Sequence, residues 1–351
     1  MLAEGADFVI GVDTHADRHA FALVEAKTAL LVDSFELPAH TQGYCQALER
    51  MHRLAPGKRL WALEGSGSYG AGLARFLIER RESVREVARP LRRGIEGRLK
   101  SDSIDAYRAA KAALERPRER PLASPRASGT REALRIMLTT REQVVEVRRT
   151  GLNQLRGLLV TAPDPLRRRL TKLSPKRLPG QCAALRMREG ASEEERAIIL
   201  SLRLVGRRVL VASREAQILK SEIEKCVCRL GPALLEEPGV GPISAGFLIC
   251  AWSHKGRLRS EAAFARLAGC APIPASSGKF VRHRLDHGGD RKLNRALYTI
   301  VLARRRSHEA TIAYIDRRIR EGKSSREAVR CLKRYVARRL FRLLESNALL
   351  T

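Results

Sequence analysis

The chain has 351 residues, of which 67 are lysine or arginine and 38 are aspartate or glutamate, giving a formal net charge of +29 at pH 7. With 44% hydrophobic residues it is not a disordered basic tail, and its length suggests about two or three packed domains. Neutralising phosphates releases counterions, so this excess of positive charge predicts a nucleic-acid partner. A ribosome-like basic protein or a membrane-surface protein is the alternative interpretation of the same charge.

The cysteines and the apolar runs argue against several classes of protein. Seven cysteines are scattered along the chain, and the one close pair, Cys226 and Cys228, has no second pair to complete a zinc site. Such a set predicts reduced thiols, and hence a cytoplasmic protein. With a nucleic-acid partner, the protein is expected to be nucleoid-associated. No stretch approaches about 18 uncharged apolar residues, and residues 1–7 lack a signal-peptide pattern, so no membrane partner is expected.

The first third of the chain has the pattern of a mixed α/β domain. Short apolar runs ending in polar or turn residues predict strands near 8–13, 19–25, 29–36, 59–64 and 84–88. Helical spacing predicts helices near 41–53, 69–81 and 103–114. Three early strands followed by alternating helices and strands is the element order of a ribonuclease-H-like fold.

Acidic residues lie where these predicted elements begin and end. Asp13 closes the first predicted strand, and Glu64 closes the fourth. Asp102 and Asp105 open the third helix, where a spacing of three residues puts them on one face. Carboxylates are the ligands that Mg²⁺ prefers, and two such ions can hold both the attacking and the leaving oxygen of a phosphoryl transfer.

Each acid taken alone is also compatible with an ordinary turn at the end of a strand. Two further polar residues, His15 and Asp17, follow Asp13 closely. We interpret them as surface or outer-shell residues, and a catalytic His15 remains an open alternative.

The middle of the chain predicts a basic linker followed by two long helices. Residues 116–130 are rich in proline and arginine, which is typical of a linker or of a basic segment that lies on phosphates. A long helix is predicted at about 129–160, and Ser192 with Glu195 forms a capping box that opens a second one. Apolar residues of the second helix alternate at spacings of four and three: Ile198, Leu202, Val205, Val209, Ala212, Ala216, Leu219, Ile223, Cys226 and Leu230. This heptad seam predicts a coiled coil, formed with the first long helix, with another copy of the chain, or with both.

A helix-hairpin-helix pattern follows at Pro238-Gly239-Val240-Gly241-Pro242. The glycines Gly239 and Gly241 let the backbone approach a phosphate, and the next helix presents free N–H groups to it. A plain tight turn between two helices is the alternative interpretation.

A serine-containing loop at 271–280 precedes the last part of the chain. It holds Ser277 beside Lys279, with Arg282 and Arg284 close behind. A serine near a phosphorus atom, with cations to stabilise developing charge, is a candidate covalent nucleophile, although Ser-Gly pairs also form ordinary turns. Basic helices are predicted after it at 290–308, 309–321 and 324–347.

Together these segments resemble the "IS-one-ten" family of insertion-sequence transposases. In the first third, Gly11-Val12-Asp13-Thr14-His15, Leu63-Glu64-Gly65-Ser66-Gly67-Ser68-Tyr69 and Lys100-Ser101-Asp102-Ser103-Ile104-Asp105-Ala106 look like the family's DEDD motifs. The family's C-terminal motifs are matched by Pro238-Gly239-Val240-Gly241, Leu267-Ala268-Gly269-Cys270-Ala271-Pro272, and Ser277-Gly278 followed by Leu293-Asn294-Arg295-Ala296-Leu297-Tyr298. The resemblance covers nearly the whole chain in the same order.

The resemblance implies an architecture, a set of partners and an assembly. It implies a RuvC-like nuclease domain at 1–115, a basic linker with coiled-coil helices at 116–232, and a mostly helical transposase domain at 233–351. Members of the family are recombinases guided by a structured bridge RNA from the element, which pairs with both donor and target DNA. They assemble as tetramers in which the acidic site of one protomer meets the serine of another, so a homo-oligomer, dimer or tetramer, is expected.

The resemblance also implies roles for individual residues. Asp13, Glu64, Asp102 and Asp105 would bind Mg²⁺ or Mn²⁺, and Ser277 would be the nucleophile that forms a phosphoserine link with DNA. Ser276 is adjacent to it, so the nucleophile is open by one residue.

Three functions remain to be compared. The first is a DNA recombinase that uses both the acids and the serine. The second is a RuvC-like structure-specific endonuclease that uses the acids and joins no strands. The third is a non-catalytic nucleic-acid-binding protein. The presence of all four acids and of the serine favours the first function, and strand joining distinguishes it from the second.

Overall fold

The chain divides into two compact units, Met1–Glu132 and Ala133–Thr351. The computed structural model describes residues 5–87, 102–115, 122, 124–125, 129–275 and 283–346. The predicted division into domains at 1–115, 116–232 and 233–351 stays a prediction.

A five-stranded sheet forms the first unit. Its strands are β1 (Phe8–Thr14), β2 (Arg18–Glu25), β3 (Leu31–Pro38), β4 (Arg59–Glu64) and β5 (Ser83–Val87), and its helices are α1 (Thr41–Leu54), α2 (Ala71–Glu79) and α3 (Asp102–Leu114). The strand order is β3-β2-β1-β4-β5, with β1 antiparallel to β2, β2 antiparallel to β3, and β4 parallel to both β1 and β5. The predicted elements of this region are confirmed, and each observed end lies within two residues of its predicted position.

Helices cover both faces of this sheet. Side chains alternate between the two faces of a strand. On one face, Ile10 and Val12 pack against apolar residues of α1 and α2. On the other face, Val9 and Leu60 pack against alanines of α3. The sheet is therefore the middle layer, and it holds α3 against the central strands β1 and β4.

Gly11 sets the distance between β1 and α3. A Cβ atom at this position would lie 2.0 Å from the carbonyl oxygen of Ala106 and 2.5 Å from the backbone nitrogen of Ala110. Both atoms belong to the backbone of α3, so no rotation of a side chain would relieve the overlap. Only glycine at this point of β1 allows the helix to lie so close to the sheet.

From α4 onward the chain is mostly helical. The helices are α4 (Gly129–Thr161), α5 (Asp164–Leu170), α6 (Leu178–Ala183), α7 (Glu193–Leu230), α8 (Ala233–Glu236), α9 (Pro242–Trp252), α10 (Glu261–Leu267), α11 (Arg291–Ser307), α12 (Glu309–Arg320) and α13 (Ser325–Ser346). A two-stranded ribbon, β6 (Ile273–Pro274) with β7 (His283–Arg284), lies between α10 and α11. Within the described residues, no helix combines the length and the apolar character needed to cross a membrane.

The long helices α4 and α7 pack against each other within one chain. The predicted cap of α7 is confirmed, because the Ser192 side chain accepts a hydrogen bond from the backbone nitrogen of Glu195 at 3.1 Å. A Cβ atom at Gly151, in the middle of α4, would meet Val209 of α7 at 2.5 Å. Leu134, near the start of α4, shares a core with Ile223, near the end of α7. Leu155, near the end of α4, shares a core with Leu202, near the start of α7, so the two helices run antiparallel.

The heptad seam of α7 is buried inside the chain, where α6 and α9 cover this helix along with α4. Most of its members are buried or half-buried inside the chain, including Leu202, Val209 and Ile223. Helices of the same chain thus cover the seam, and a coiled coil between copies of the chain stays a prediction.

A buried histidine gives the first unit a predicted dependence on pH. The ring of His19 is fully buried and stacks on Tyr44, with the ring centroids 5.7 Å apart and the planes 2° from parallel. Burial lowers the pKa of His19 below its ordinary value of 6.5, an effect that the Arg18 backbone partly opposes. As the pH falls through 6.5, the unfolded chain therefore takes up a proton at His19 that the folded chain still excludes.

His19→Phe is expected to reduce the loss of stability at mildly acid pH. As the pH falls from 6.5 to the lowered pKa of folded His19, the free energy of unfolding should decrease faster in the wild type than in the variant. The difference in slope should reach about 1.4 kcal/mol per pH unit. Urea unfolding followed by circular dichroism at a series of pH values measures the difference. His40→Phe, at an exposed histidine, is the control. Parallel curves for wild type and His19→Phe would contradict the prediction.

Candidate metal centre

Asp13 and Glu64 lie at the carboxyl ends of two adjacent parallel strands. They follow directly on Val12 and Leu63, which are paired across β1 and β4. Alternation along the strands places both acids on the face that α3 covers. The hydroxyl of Thr14 donates to the backbone oxygen of Glu64 at 2.8 Å, which ties the two strand ends together. The sheet therefore holds these two predicted site residues next to each other.

His15 joins Asp13 to the first residue of α3. Its Nε2 atom lies 3.1 Å from Oδ2 of Asp13 and 3.5 Å from Oδ1 of Asp102. The potential ligand atoms of the three residues all lie within 4.8 Å of one another. The Asp13 side chain is 13% exposed, whereas those of His15 and Asp102 are about half exposed. The structure thus brings two of the predicted acids together and adds an imidazole between them.

Asp105 lies one turn further along α3 from Asp102. It accepts a hydrogen bond from Nη1 of Arg108 at 2.7 Å, and both side chains of this pair are largely buried. The guanidinium of Arg108 thereby compensates the negative charge of the Asp105 carboxylate.

The donor set of this cluster fits a divalent cation. Carboxylate oxygens suit Mg²⁺ and Mn²⁺, and an imidazole nitrogen suits transition metals. Asp13 and Asp102 supply oxygens from a rigid strand end and a helix start, and His15 supplies a nitrogen between them. The sequence marked His15 by its place two residues beyond Asp13 and at the end of the first DEDD-like motif, and neither signal revealed its contact with Asp102.

His15→Ala is expected to weaken Mn²⁺ binding about tenfold, because the imidazole that contacts both carboxylates is lost. Titration of the metal-free protein with Mn²⁺, followed by calorimetry or by the spectrum of free Mn²⁺, gives the dissociation constant. His40→Ala is the control, since His40 is exposed and makes no capping hydrogen bond with its side chain at the start of α1. Equal affinities for wild type and His15→Ala would show that the imidazole takes no part in the site.

The predicted helix-hairpin-helix lies between α8 and α9. Gly239 has φ +74°, and a Cβ atom there would lie 2.8 Å from the backbone oxygen of Ile300 in α11. Gly241 caps α9, and a Cβ atom there would have no heavy atom within 4 Å. Arg304 donates from Nε to the backbone oxygen of Pro238 at 2.6 Å. The turn is therefore held on α11, with Gly241 facing open space.

The remaining predicted nucleic-acid contacts belong to the serine loop. Arg284 is exposed in β7. The predicted nucleophile Ser277, its neighbour Ser276, and the flanking residues Lys279 and Arg282 lie outside the described residues.

Comparison with known families assigns both parts of the chain. Residues 10–162 match a family described as "Transposase", the DEDD type of IS110. Residues 231–316 match a second family, described as "Transposase IS116/IS110/IS902 family". The two matched ranges together span more than half of the chain.

Two insertion-element proteins are similar to part of the chain. The insertion element IS110 uncharacterized 43.6 kDa protein of Streptomyces coelicolor is 32% identical over 119 residues, which is 34% of this chain and 29% of the relative. The insertion element IS900 uncharacterized 42 kDa protein of Mycobacterium paratuberculosis is 32% identical over 117 residues, which is 33% of this chain and 29% of the relative. The alignments thus span less than a third of these curated relatives. With both family matches in the predicted order, the chain belongs to the IS116/IS110/IS902 family of transposases.

Proposed function

We propose that the chain is a DNA transposase of an insertion sequence, which cuts DNA and rejoins it through metal-binding acids and a serine nucleophile. The observation that carries this proposal is the cluster of Asp13, His15 and Asp102 within the matched DEDD region. The sheet order β3-β2-β1-β4-β5, with three antiparallel strands followed by parallel ones, supports a ribonuclease-H-like, RuvC-like fold for this domain.

In this proposal the four acids Asp13, Glu64, Asp102 and Asp105 hold Mg²⁺ or Mn²⁺. A bound divalent ion would stabilise the negative charge that develops on a phosphate during transfer. The contribution of the chain is to hold the carboxylates at two strand ends and at the start of a helix, where the fold places them before DNA arrives. Arg108 contributes by restraining Asp105.

Ser277 is the proposed nucleophile. Its hydroxyl oxygen forms a bond to phosphorus and gives up its proton, while the bond from phosphorus to the departing DNA oxygen breaks and that oxygen takes up a proton. The resulting phosphoserine keeps the bond energy of the phosphodiester, so a second DNA hydroxyl can reverse the step without ATP. The cations Lys279, Arg282 and Arg284 follow the serine in the sequence and would neutralise the phosphate.

The proposed partners are donor DNA, target DNA, a structured bridge RNA and further copies of the chain. The net charge of +29 supports the polyanionic partners. A second apolar stripe on α7 supports self-association as a dimer or tetramer. It comprises Leu200, Leu204, Val211 and Ile218, each about half exposed after the first seam is buried, and its members follow spacings of four and seven.

Ser277→Ala is expected to abolish the covalent protein–DNA adduct while leaving RNA binding intact. Incubation with element-end DNA and Mg²⁺, followed by a denaturing gel, detects the adduct as a shifted band. Ser276→Ala is the matched control and should still form it. An undiminished adduct in Ser277→Ala would contradict the assignment of the nucleophile.

A RuvC-like endonuclease without strand joining is the second candidate, favoured by the acid cluster because that cluster alone suffices for hydrolysis. The same reaction separates the two functions. Cleaved product without adduct or joined strands in the wild-type protein would identify the nuclease. A non-catalytic nucleic-acid-binding protein would yield neither cleavage nor adduct.

A further inference from the structure

A basic and aromatic cleft lies in the second unit, where the end of α11 meets α12 and α13. Its volume is about 440 Å³, within the range of pockets that bind small ligands. Arg304, Arg317 and Arg339 line it, and no acidic side chain does so in the described part of the chain. We call this feature the α11–α13 cleft.

The arginines of the α11–α13 cleft carry more charge than their partners neutralise. One carboxylate, that of Glu237, contacts both Arg304 at 3.2 Å and Arg339 at 2.9 Å. Arg317 is 62% exposed and lies 3.8 Å from Glu321, which also pairs with Arg318. Two carboxylates therefore face four guanidinium groups around the cleft. The surplus positive charge predicts an anionic ligand.

The amino end of α12 adds to this positive potential. His308 caps the helix by accepting a hydrogen bond at Nδ1 from the backbone nitrogen of Thr311, 3.3 Å away. A neutral ring bonded in this way carries its proton on Nε2 and keeps a donor available. Ala310 and Thr311, in the first turn of α12, also line the cleft. The helix dipole is positive at this end, where anions are favoured.

Two tyrosines give the cleft a surface for a flat ring. Tyr314 and Tyr335 make an edge-to-face pair with centroids 5.7 Å apart, and the guanidinium of Arg317 lies 5.4 Å from the centroid of Tyr314. Tyr335 is 56% exposed despite its size. Exposed aromatic rings beside arginines are the usual platform on which unpaired bases stack.

We propose that the α11–α13 cleft binds one unpaired nucleotide of a nucleic-acid strand, with its base on Tyr335 and its phosphate at Arg317 and Arg339. A base within a duplex has both faces covered by its neighbours, so only an unpaired base offers a face to Tyr335. Arg304 lines the cleft and also donates a hydrogen bond to Pro238 in the helix-hairpin-helix turn. A nucleic-acid strand bound at that turn would therefore pass close to the cleft. The proposal concerns binding and does not depend on strand transfer.

Tyr335→Ala tests this proposal in the full-length protein without metal. Fluorescence anisotropy with a short single strand should show about tenfold weaker binding, while affinity for a duplex of the same sequence changes less than about twofold. Tyr335→Phe should restore the affinity, because it keeps the ring. Tyr298→Ala, at an exposed tyrosine of α11 outside the cleft, is the matched control. Coincident thermal unfolding curves would show that the variants are folded.

Two further measurements make the test specific for a base and a phosphate. In a strand that carries 2-aminopurine, the fluorescence of this base should be quenched by wild-type protein and not by Tyr335→Ala, since stacking on the tyrosine ring causes the quenching. Arg317→Gln should lower the slope of log affinity against log salt by about one. Single strands of RNA and of DNA are compared. If Tyr335→Ala loses affinity for either one, the result supports the site and identifies which nucleic acid the site binds.

The proposal is overturned by any of three results. In the first, Tyr335→Ala binds every single strand as tightly as wild type does. In the second, Tyr335→Ala loses as much affinity for the duplex as for the single strand. In the third, Tyr335→Ala loses no more affinity for the single strand than Tyr298→Ala does. Each of these would show that the cleft contributes charge alone or nothing to binding.

Discussion

Asp13→Asn is expected to lower the rate of DNA cleavage about 10²- to 10³-fold, with little change in stability. The asparagine keeps the shape of the side chain and removes the negative charge that a divalent cation requires. Asp13 is the least exposed member of its cluster and lies on a central strand, so no neighbouring carboxylate moves easily into its place. Single-turnover cleavage of a labelled DNA substrate, with Mg²⁺ or Mn²⁺ varied, measures the effect.

The control for this experiment is Asp17→Asn. Asp17 is an exposed acid close in the sequence and outside the cluster, so the variant should cleave at the wild-type rate. If Asp13→Asn also cleaves at the wild-type rate at saturating metal, the acids do not hold the ion and the proposed function fails at its central step.

Gly11→Ala is expected to lower the free energy of unfolding of the first unit by about 3 kcal/mol or more, at the upper end of overpacking effects. The added methyl group would overlap the carbonyl oxygen of Ala106 and the backbone nitrogen of Ala110. Because those atoms are backbone, the strain is relieved only if α3 moves away from β1. Any folded fraction should also bind Mn²⁺ poorly, since α3 carries Asp102. Urea denaturation and Mn²⁺ titration measure the two effects.

Gly67→Ala is the matched control for Gly11→Ala. No heavy atom lies within 4 Å of a Cβ at Gly67, and its φ is not in the left-handed region, so we expect a change within about 0.5 kcal/mol. Wild-type stability in Gly11→Ala would mean that the helix and the sheet are not in direct backbone contact.

The strands and helices of the first unit were predictable from the sequence, whereas the place where their acidic residues come together was not. Apolar runs that end at Asp13 and Glu64 predict strand ends, and the spacing of Asp102 and Asp105 predicts one helix face. The approach of Asp13 and Asp102 to within 4.8 Å depends on the sheet order and on the packing of α3, which no local pattern contains. His15 is an example: the sequence shows that it lies two residues after Asp13, but it does not show that the imidazole contacts Asp102.

Repetition in the sequence was similarly ambiguous for α7. Apolar residues at spacings of four and three show that one side of the helix is covered, and they are silent on whether the cover belongs to the same chain. In the structure the cover belongs to the same chain, because α6 and α9 pack on α7 and Gly151 of α4 allows close contact with Val209. At Gly239 the sequence suggested room for a phosphate, and the structure supplies another physical reason, since the backbone of Ile300 is too close for any side chain.

The contact between Gly11 and α3 makes the acid cluster mechanically one-sided. Where backbone touches backbone, repulsion rises steeply on approach, whereas separation is opposed more gradually, by the loss of dispersion contacts and by the exposure of apolar residues packed between α3 and the sheet. The helix bearing Asp102 can therefore swing outward from the strand bearing Asp13, but a hard stop prevents it from moving inward. The backbones that carry the two carboxylates therefore cannot come closer than this contact, whatever the charge of the side chains. An ion entering the site meets a gap whose lower bound already exists, and it has only to limit the opening.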